Sequence, residues 1–217
     1  MKERQPVISV VDDDAAARSS LRLLLKSLGL AANAYESAAH FLASHDPQQP
    51  GCLLLDIRMP GMSGLELQDE LNRRGSLTPI IFITGHGDVP MAVEAMQHGA
   101  FDFLQKPFRD QELLDRVQRA LSKDRSVRDQ LLQHEAIRRR LDSLTDREQD
   151  VLELVTGGAP NKIIAHKLGI SQRTVEIHRA RVMEKMSADS LAQLVHMTMV
   201  AGASRPDAGA SATSRAS

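Results

Sequence analysis

Acidic, hydroxyl and amine side chains stand at the ends of several short apolar runs of this sequence. Asp12 and Asp13 follow the first run, Asp56 closes a second, and Thr84 and Lys106 close two later ones. Carboxylates that are brought together repel one another and need a cation to stay ionised. Because no Cys or His stands among these residues, their oxygen atoms favour Mg²⁺, which also leaves room for a phosphoryl oxygen.

The runs that carry these residues have the pattern of strands buried on both faces of a sheet. They are continuous, apolar and bounded by acids, Pro or Gly. They occupy residues 7–11, 52–56 and 79–85, with weaker candidates at 31–36 and 101–106. Helical segments lie between them at 15–29, 37–44, 64–74, 89–98 and 110–121. Five strand-helix units predict a parallel sheet covered on both faces, a doubly wound α/β domain.

Ligands of such sheets bind outside the carboxyl ends of the strands, where the strand order reverses. If the order is 2-1-3-4-5, the first and third strands are neighbours, and Asp12, Asp13 and Asp56 converge on one spot. Asp14 is better explained as the N-cap of the first helix. A single Thr in an apolar strand usually serves packing, and a single Lys before Pro usually faces solvent. Only the joint pattern therefore supports a site.

Composition and charge limit the classes of protein that fit. The chain has 217 residues, 42% of them hydrophobic, and its one cysteine excludes an internal disulfide. The N-terminus lacks the apolar region of a signal peptide, and no apolar run approaches the ~20 residues of a membrane helix. We therefore expect a cytoplasmic protein. Residues 1–121 carry a net charge of −4 and residues 122–217 one of +3, which suggests two domains with different partners.

The motifs VVDDD (10–14), LLLDIRMPGMSG (53–64), FITGHGD (82–88) and FLQKPF (103–108) resemble the receiver domain of two-component response regulators in order and spacing. The match covers residues 6–121 and implies the strand order 2-1-3-4-5. It also implies that Asp56 accepts a phosphoryl group from a phosphohistidine of a sensor histidine kinase. Asp13, Asp56 and the backbone carbonyl of Arg58 would bind Mg²⁺ directly, and Asp12 would act through water.

The same resemblance assigns roles to three further residues. Thr84 would hydrogen-bond the phosphoryl oxygens, and Lys106, preceding a cis Pro107, would pair with them. Phe103 would turn inward with Thr84 after phosphorylation. Phosphoryl transfer requires in-line positioning and neutralised oxygens more than covalent assistance, so a carboxylate, a metal, a hydroxyl and an ammonium suffice for it.

Three other functions fit parts of this pattern. An aspartyl-phosphate phosphatase also uses acids at parallel strand ends, but its D-x-D-x-T motif differs from the DIRMP that begins at Asp56. Control without phosphorylation is disfavoured by the complete set of acids, Thr84 and Lys106. A protein-binding module with no DNA role would be excluded by salt-dependent binding of promoter DNA.

The second half has a helical pattern throughout. Residues 122–144 are charged with a narrow apolar stripe, which we interpret as a solvated helical spacer, a partner helix being the alternative. Helix starts and stops then follow in close succession. The predicted starts are Thr145 with Glu148, Asn161, and Ser171, and the predicted stops are Gly157 with Gly158, and Gly169. Two helices separated by GIS (169–171) predict a helix-turn-helix whose second helix enters the major groove.

The block from LTDREQDVLELV (144–155) through NKIIAHKLGISQRTVEIHRARVMEKM (161–186) resembles the LuxR-type helix-turn-helix of NarL/FixJ response regulators, over residues 140–201. The resemblance implies phosphate contacts by Asn161, Lys162, Thr174, His178 and Arg179. It implies that Glu176, Ile177, Ala180 and Arg181 face base edges. Arg173 and Lys185 complete the predicted DNA-binding set. Residues 161–186 hold six basic side chains against two acids, which suits a polyanion.

These patterns predict a phosphorylation-activated, DNA-binding transcription factor that is not an enzyme beyond its own phosphotransfer and dephosphorylation. Its expected partners are a sensor histidine kinase, double-stranded promoter DNA, RNA polymerase and, after phosphorylation, a second copy of the chain; no membrane is expected. The dimer face is predicted at the helix around residues 90–96 and the strand near Phe103. The predicted domains are a receiver at 1–121, a helical linker at 122–139, a LuxR-type domain at 140–201 and a disordered tail at 202–217.

Overall fold

The computed structural model describes residues 4–85 and 89–202, which form two compact units divided between Asp129 and Gln130. The division falls inside the segment predicted as a linker. The tail predicted from residue 202 onward lies, apart from Gly202, outside the described residues. None of the helices in the described ranges is long and apolar enough to cross a membrane.

The first unit is built on a five-stranded parallel sheet. Its strands are β1 (Val7–Val11), β2 (Ala31–Tyr35), β3 (Gly51–Asp56), β4 (Ile80–Thr84) and β5 (Asp102–Gln105). Their spatial order is β2-β1-β3-β4-β5, which confirms the predicted topology. Asp56 pairs in register with Ile83, and Thr84 with Gln105. The carboxyl ends of the central strands are therefore neighbours at one edge of the sheet.

Helices cover both faces of this sheet because the strand residues are apolar on both faces. The helices are α1 (Ala15–Ser27), α2 (Ala38–Ser44), α3 (Gly64–Arg73), α4 (Val89–Gln97) and α5 (Asp110–Asp142). Leu54 packs with α1 and the first part of α5 in one cluster. Its neighbours Leu53 and Leu55 pack with α2 and α3 in another. The alternation follows from the two-residue period of a strand.

Helix α5 is longer than the sequence analysis predicts. The helix predicted at 110–121 and the helical segment predicted at 122–144 form a single helix, Asp110–Asp142, because no Gly or Pro interrupts this stretch. The interpretation of residues 122–144 as a solvated spacer is wrong at Asp124, which is only 2% exposed. The helix therefore still packs against the first unit at that point.

Within its described residues, the second unit contains four short helices after α5. They are α6 (Asp146–Thr156), α7 (Asn161–Leu168), α8 (Gln172–Met186) and α9 (Leu191–Gly202). Thr145 and Glu148 form the predicted capping box, and Ser171 caps α8 as predicted. The predicted cap by Asn161 is wrong, because Pro160 occupies the N-cap position and Asn161 is the first residue of α7. Val175, Val182 and Met186 of α8 are buried.

Candidate acidic site and nucleic-acid interface

Three predicted site residues meet at the carboxyl edge of the sheet. Lys106, which follows β5, places its Nζ 3.0 Å from Oδ2 of Asp12 and 3.4 Å from Oδ1 of Asp56. Asp12 follows β1 and is buried, whereas Asp56 ends β3 and is half-buried. Strands β1 and β3 are neighbours, so the strand order itself brings the two carboxylates within reach of one ammonium group.

Backbone groups hold both carboxylates in place. Oδ1 of Asp12 accepts a hydrogen bond from the backbone N–H of Asp14 at 2.8 Å, and Oδ2 of Asp56 accepts one from that of Arg58 at 2.9 Å. Asp14 itself accepts from two backbone N–H groups and caps α1, as predicted. Each carboxylate is thus bound by a backbone donor on one oxygen and by Lys106 on the other.

The remaining receiver residues surround this centre at different depths. Thr84 is buried at the end of β4, and its carbonyl accepts a hydrogen bond from the backbone N–H of Lys106 at 2.7 Å. The Lys106-Pro107 peptide bond is cis, as the resemblance implies. Asp13 and Phe103 are exposed. Asp13 lies outside the hydrogen bonds by which Lys106 joins Asp12 and Asp56, whereas the sequence predicts that all three carboxylates converge.

The electrostatics of Asp56 and Lys106 reflect their partial burial. Burial raises the pKa of Asp56. The ammonium of Lys106 lowers this pKa and the charge of Asp12 raises it further, so the net shift of the Asp56 pKa is upward. Burial lowers the pKa of Lys106, but its hydrogen bonds and charge pairing with Asp12 and Asp56 outweigh burial, and the net shift is also upward. Lys106 is therefore charged at neutral pH and offsets part of the repulsion between the acids.

The donor atoms at this edge are of the kind that Mg²⁺ prefers. They are carboxylate and backbone carbonyl oxygens, which hard divalent cations bind in proteins. Within residues 4–85 and 89–202, no three His, Cys, Asp or Glu side chains are grouped closely enough to hold a metal ion. Lys106 bridges Asp12 and Asp56, and Asp13 faces solvent. The residues thus fit the ion by their chemistry, while the three side chains are not gathered around a single point.

Gly64 is a site-supporting residue that the sequence analysis does not single out. It begins α3, and its N–H donates to the carbonyl of Ile57 at 2.9 Å. A Cβ at this position would overlap the carbonyl oxygen of Asp56 and crowd Ile57 and Phe82. The glycine lets α3 start directly against the backbone that carries Asp56. Its place after Ser63, which caps α3, is the only signal of this role in the sequence.

In the second unit, the predicted DNA-facing residues divide into an exposed set and an engaged set. The exposed set lies on the outer face of α8, with Lys162 at the start of α7. Its members are Lys162, Arg173, Glu176, Ile177, Ala180 and Arg181. Ile177 is a large apolar side chain that is 48% exposed. An exposed apolar residue among charged ones suits contact with base edges.

The engaged set consists of residues whose side chains are half-buried within the unit: Asn161, Thr174, His178 and Arg179. Thr174 Oγ1 lies 2.8 Å from Oγ of Ser171, and Arg179 Nη1 donates to Oδ1 of Asn161 at 2.9 Å. Nδ1 of His178 is buried and has no hydrogen-bond partner in the described part of the chain. These four predicted phosphate contacts are half-buried rather than extended into solvent.

Lys185 differs from the other predicted DNA contacts. Its Nζ donates to Oε2 of Glu148 at 2.6 Å and to the carbonyl of Ser143 at 3.1 Å. The carboxylate of Glu148 is buried and also accepts from the backbone N–H of Thr145 in the capping box. Lys185 therefore joins α8 to the start of α6, and its charge is already paired within the unit.

Comparison with known families gives two matches. The response regulator receiver domain matches residues 8–118, and the bacterial regulatory proteins of the luxR family match residues 142–198. The Transcriptional regulatory protein FixJ of Azorhizobium caulinodans is 49% identical over 207 residues, covering 95% of this chain and 98% of that protein. Nodulation protein W of Bradyrhizobium diazoefficiens is 48% identical, covering 91% of this chain and 87% of its own.

Solved structures give a consistent result. The response regulator StyR aligns with a TM-score of 0.84 at 46% identity, covering 90% of this chain and 98% of its own. Full-length FixJ from B. japonicum aligns with a TM-score of 0.58 at 42% identity, covering 93% and 99%. Both similarities extend over the receiver-like and the helix-turn-helix parts of the chain.

Proposed function

Because the chain belongs to the response regulators that join a receiver to a LuxR-type DNA-binding domain, and so regulates transcription in response to phosphorylation, we propose that Asp56 is its phosphoacceptor. The observation that carries this proposal is the bridge from Lys106 to Asp12 and Asp56. Of the two bridged acids, Asp56 is the more accessible, since Asp12 is buried. A phosphohistidine of a sensor histidine kinase is the proposed donor.

The surrounding residues then have distinct tasks. Lys106 pairs with a phosphoryl oxygen, and the hydroxyl of Thr84 donates a hydrogen bond to another. Mg²⁺ would be held by Asp13, Asp56 and the Arg58 carbonyl, with Asp12 acting through water. When bound, the ion neutralises charge on the transferring phosphoryl group. The same groups assist hydrolysis of the acyl phosphate, so the receiver promotes its own dephosphorylation.

Intact mass measurement tests the assignment of Asp56. Incubation with Mg²⁺ and a small acyl phosphate should add one phosphoryl group to the wild type and none to Asp56→Asn. Asp46→Asn is the matched control, because Asp46 is an exposed carboxylate elsewhere in the first unit. It should be labelled like the wild type. Labelling of Asp56→Asn at the wild-type level would show that another residue is the acceptor.

Phosphorylation is proposed to act through the surface formed by α4 and β5. The modification replaces the singly charged carboxylate of Asp56 by an acyl phosphate of about −1.5 to −2, a net gain of up to about one negative charge. The phosphoryl oxygens draw Thr84 toward them, which lets Phe103 turn inward. Phe103 is 38% exposed and Val93 on the same surface is 52% exposed, so apolar area is available for pairing with a second copy. The side chain of Val89, the first residue of α4, lies outside the described residues.

Light scattering on the full chain tests this dimer face. Mg²⁺ with beryllofluoride, a phosphoryl mimic, should shift the wild type from monomer to dimer. Val93→Asp should block the shift while still binding the mimic, because a charge on this face opposes its burial. A wild type that stays monomeric at high micromolar concentration would move the dimer contact elsewhere, for example to α9.

The DNA-binding function is proposed for the exposed face of α8. Glu176, Ile177, Ala180 and Arg181 would face base edges in the major groove, and Lys162, Thr174, His178 and Arg179 would contact phosphates, with Arg173 nearby. Lys185 is left out of this set because its ammonium is paired with Glu148. RNA polymerase is the proposed downstream partner.

Binding measurements on two arginine variants test this division. Arg179→Ala should weaken binding to all DNA sequences alike and lower the slope of log affinity against log salt by about one unit. Arg181→Ala should instead relax sequence preference at one base position. Identical behaviour of the two variants would contradict the separation into phosphate and base contacts.

A further inference from the structure

A side-chain hydrogen bond joins the two helices of the helix-turn-helix. Asn161 is the first residue of α7, and Arg179 lies in the middle of α8. Oδ1 of Asn161 accepts a hydrogen bond from Nη1 of Arg179 at 2.9 Å. Both residues are half-buried, and they are 18 positions apart in the chain. The bond therefore depends on the way in which α7 and α8 cross, and it fixes one end of the guanidinium group relative to α7.

The amide of Asn161 has no capping task that would explain its presence. An asparagine near a helix start usually caps it, but here the N-cap is Pro160, which makes no side-chain cap hydrogen bond. We propose that Asn161 is a positioning residue that holds Arg179 in the orientation that a DNA phosphate requires; this role rests on the proposed DNA-binding function. Asn161 then acts through Arg179, and the phosphate contact itself belongs to the guanidinium.

The chemistry of the pair suits this task. A guanidinium has five N–H donors, and Asn161 engages one nitrogen while the others remain for bidentate phosphate binding. Because the amide is neutral, it orients the arginine without cancelling its charge, whereas a carboxylate in the same place would offset that charge. A free arginine loses side-chain freedom when it binds, so holding it beforehand should strengthen DNA binding by about fivefold.

The neighbouring residue provides a matched control. Lys162 follows Asn161 directly on α7 and is exposed. Its proposed phosphate contact is independent of Arg179, so the two should contribute separately. If Asn161 also contacted phosphate by itself, it would behave like Lys162 when combined with an Arg179 variant. A double-mutant cycle therefore separates positioning from direct contact.

The experiment uses the full chain with Mg²⁺ and beryllofluoride, so that the receiver is in its activated form, and a mixed-sequence duplex of about 30 base pairs. This duplex is long enough for two half-sites one helical turn apart. Fluorescence anisotropy across a series of NaCl concentrations gives affinity and salt slope. Asn161→Ala should weaken binding about fivefold in the wild type and not at all in the Arg179→Ala background. Lys162→Ala should weaken binding by the same factor in both backgrounds.

Asn161→Asp provides a second test with a variant that should remain folded. A carboxylate in the first turn of α7 is favourable to the helix, yet it offsets the charge of Arg179. This variant should therefore keep its stability and lower the salt slope by about one unit, as Arg179→Ala does.

Equal losses for Asn161→Ala in both backgrounds would overturn the positioning role while leaving the DNA-binding proposal intact. An unchanged salt slope for Asn161→Asp would do the same. A wild type that shows no salt-dependent binding to the duplex would instead overturn the DNA-binding function on which the inference rests.

Discussion

Replacing Arg128 by Met should expose how much the first unit depends on one buried ion pair. Asp124 of α5 is 2% exposed, and its two carboxylate oxygens accept from Nε of Arg128 at 2.8 and 3.0 Å. Oδ2 of Asp124 also accepts from the backbone N–H of Gly51 at 3.0 Å, at the start of β3. The guanidinium additionally donates to the carbonyls of Pro47 and Gln49, both at 3.1 Å.

The expected cost follows from the charge that the substitution leaves behind. Removing one partner of a buried pair typically costs about 3–5 kcal/mol. We therefore expect Arg128→Met to lower the free energy of unfolding of the first unit by about 4 kcal/mol at pH 7.

Urea unfolding of the full chain at pH 7, followed by far-ultraviolet circular dichroism, measures this difference from the wild type.

Two further variants complete the test. Arg125→Met, on the same helix, removes an arginine whose side chain is 74% exposed and should cost less than about 0.5 kcal/mol. Adding Asp124→Asn to Arg128→Met should restore much of the lost stability, since no charge remains buried. A loss for Arg128→Met that matches Arg125→Met, or that Asp124→Asn does not reduce, would contradict this prediction.

Two other predictions concern the capping box of α6 and the start of α3. A hydrogen bond from Lys185, followed by one from the Thr145 N–H, lowers the pKa of Glu148 to about 2. The stabilisation by the ionised carboxylate is therefore complete above the ordinary pKa of Glu and is lost as pH falls toward 2. Measured by equilibrium unfolding, Glu148→Gln should cost about 2 kcal/mol at pH 7 and about half that at pH 3. A cost that is the same at both pH values would contradict this prediction. Gly64→Ala should lower the free energy of unfolding by about 1–3 kcal/mol and slow acyl phosphate labelling of Asp56, because the alanine Cβ would overlap the Asp56 carbonyl oxygen. Unchanged stability and labelling would contradict this close packing.

Much of the receiver could be predicted from the sequence because its signals are local. A continuous apolar run such as residues 52–56 needs burial on both faces wherever it lies, and Asp14 or Ser171 can cap a helix using only its own neighbours. The meeting of Asp56 with Lys106 follows once the strand order is known, since parallel strands end at the same edge. The order itself came from the motif resemblance rather than from periodicity.

Tertiary structure decided which polar side chains are engaged. The sequence predicts a cap and a phosphate contact for Asn161 and a DNA contact for Lys185. It does not predict that helix crossing pairs these side chains with Arg179 and Glu148. Asp124 has the sequence context of a solvated helix, and only the packing of α5 against the start of β3 buries it. Apolar periodicity and capping act over a few residues and can be predicted from the chain alone, whereas a pairing between distant polar groups depends on the position of two backbones.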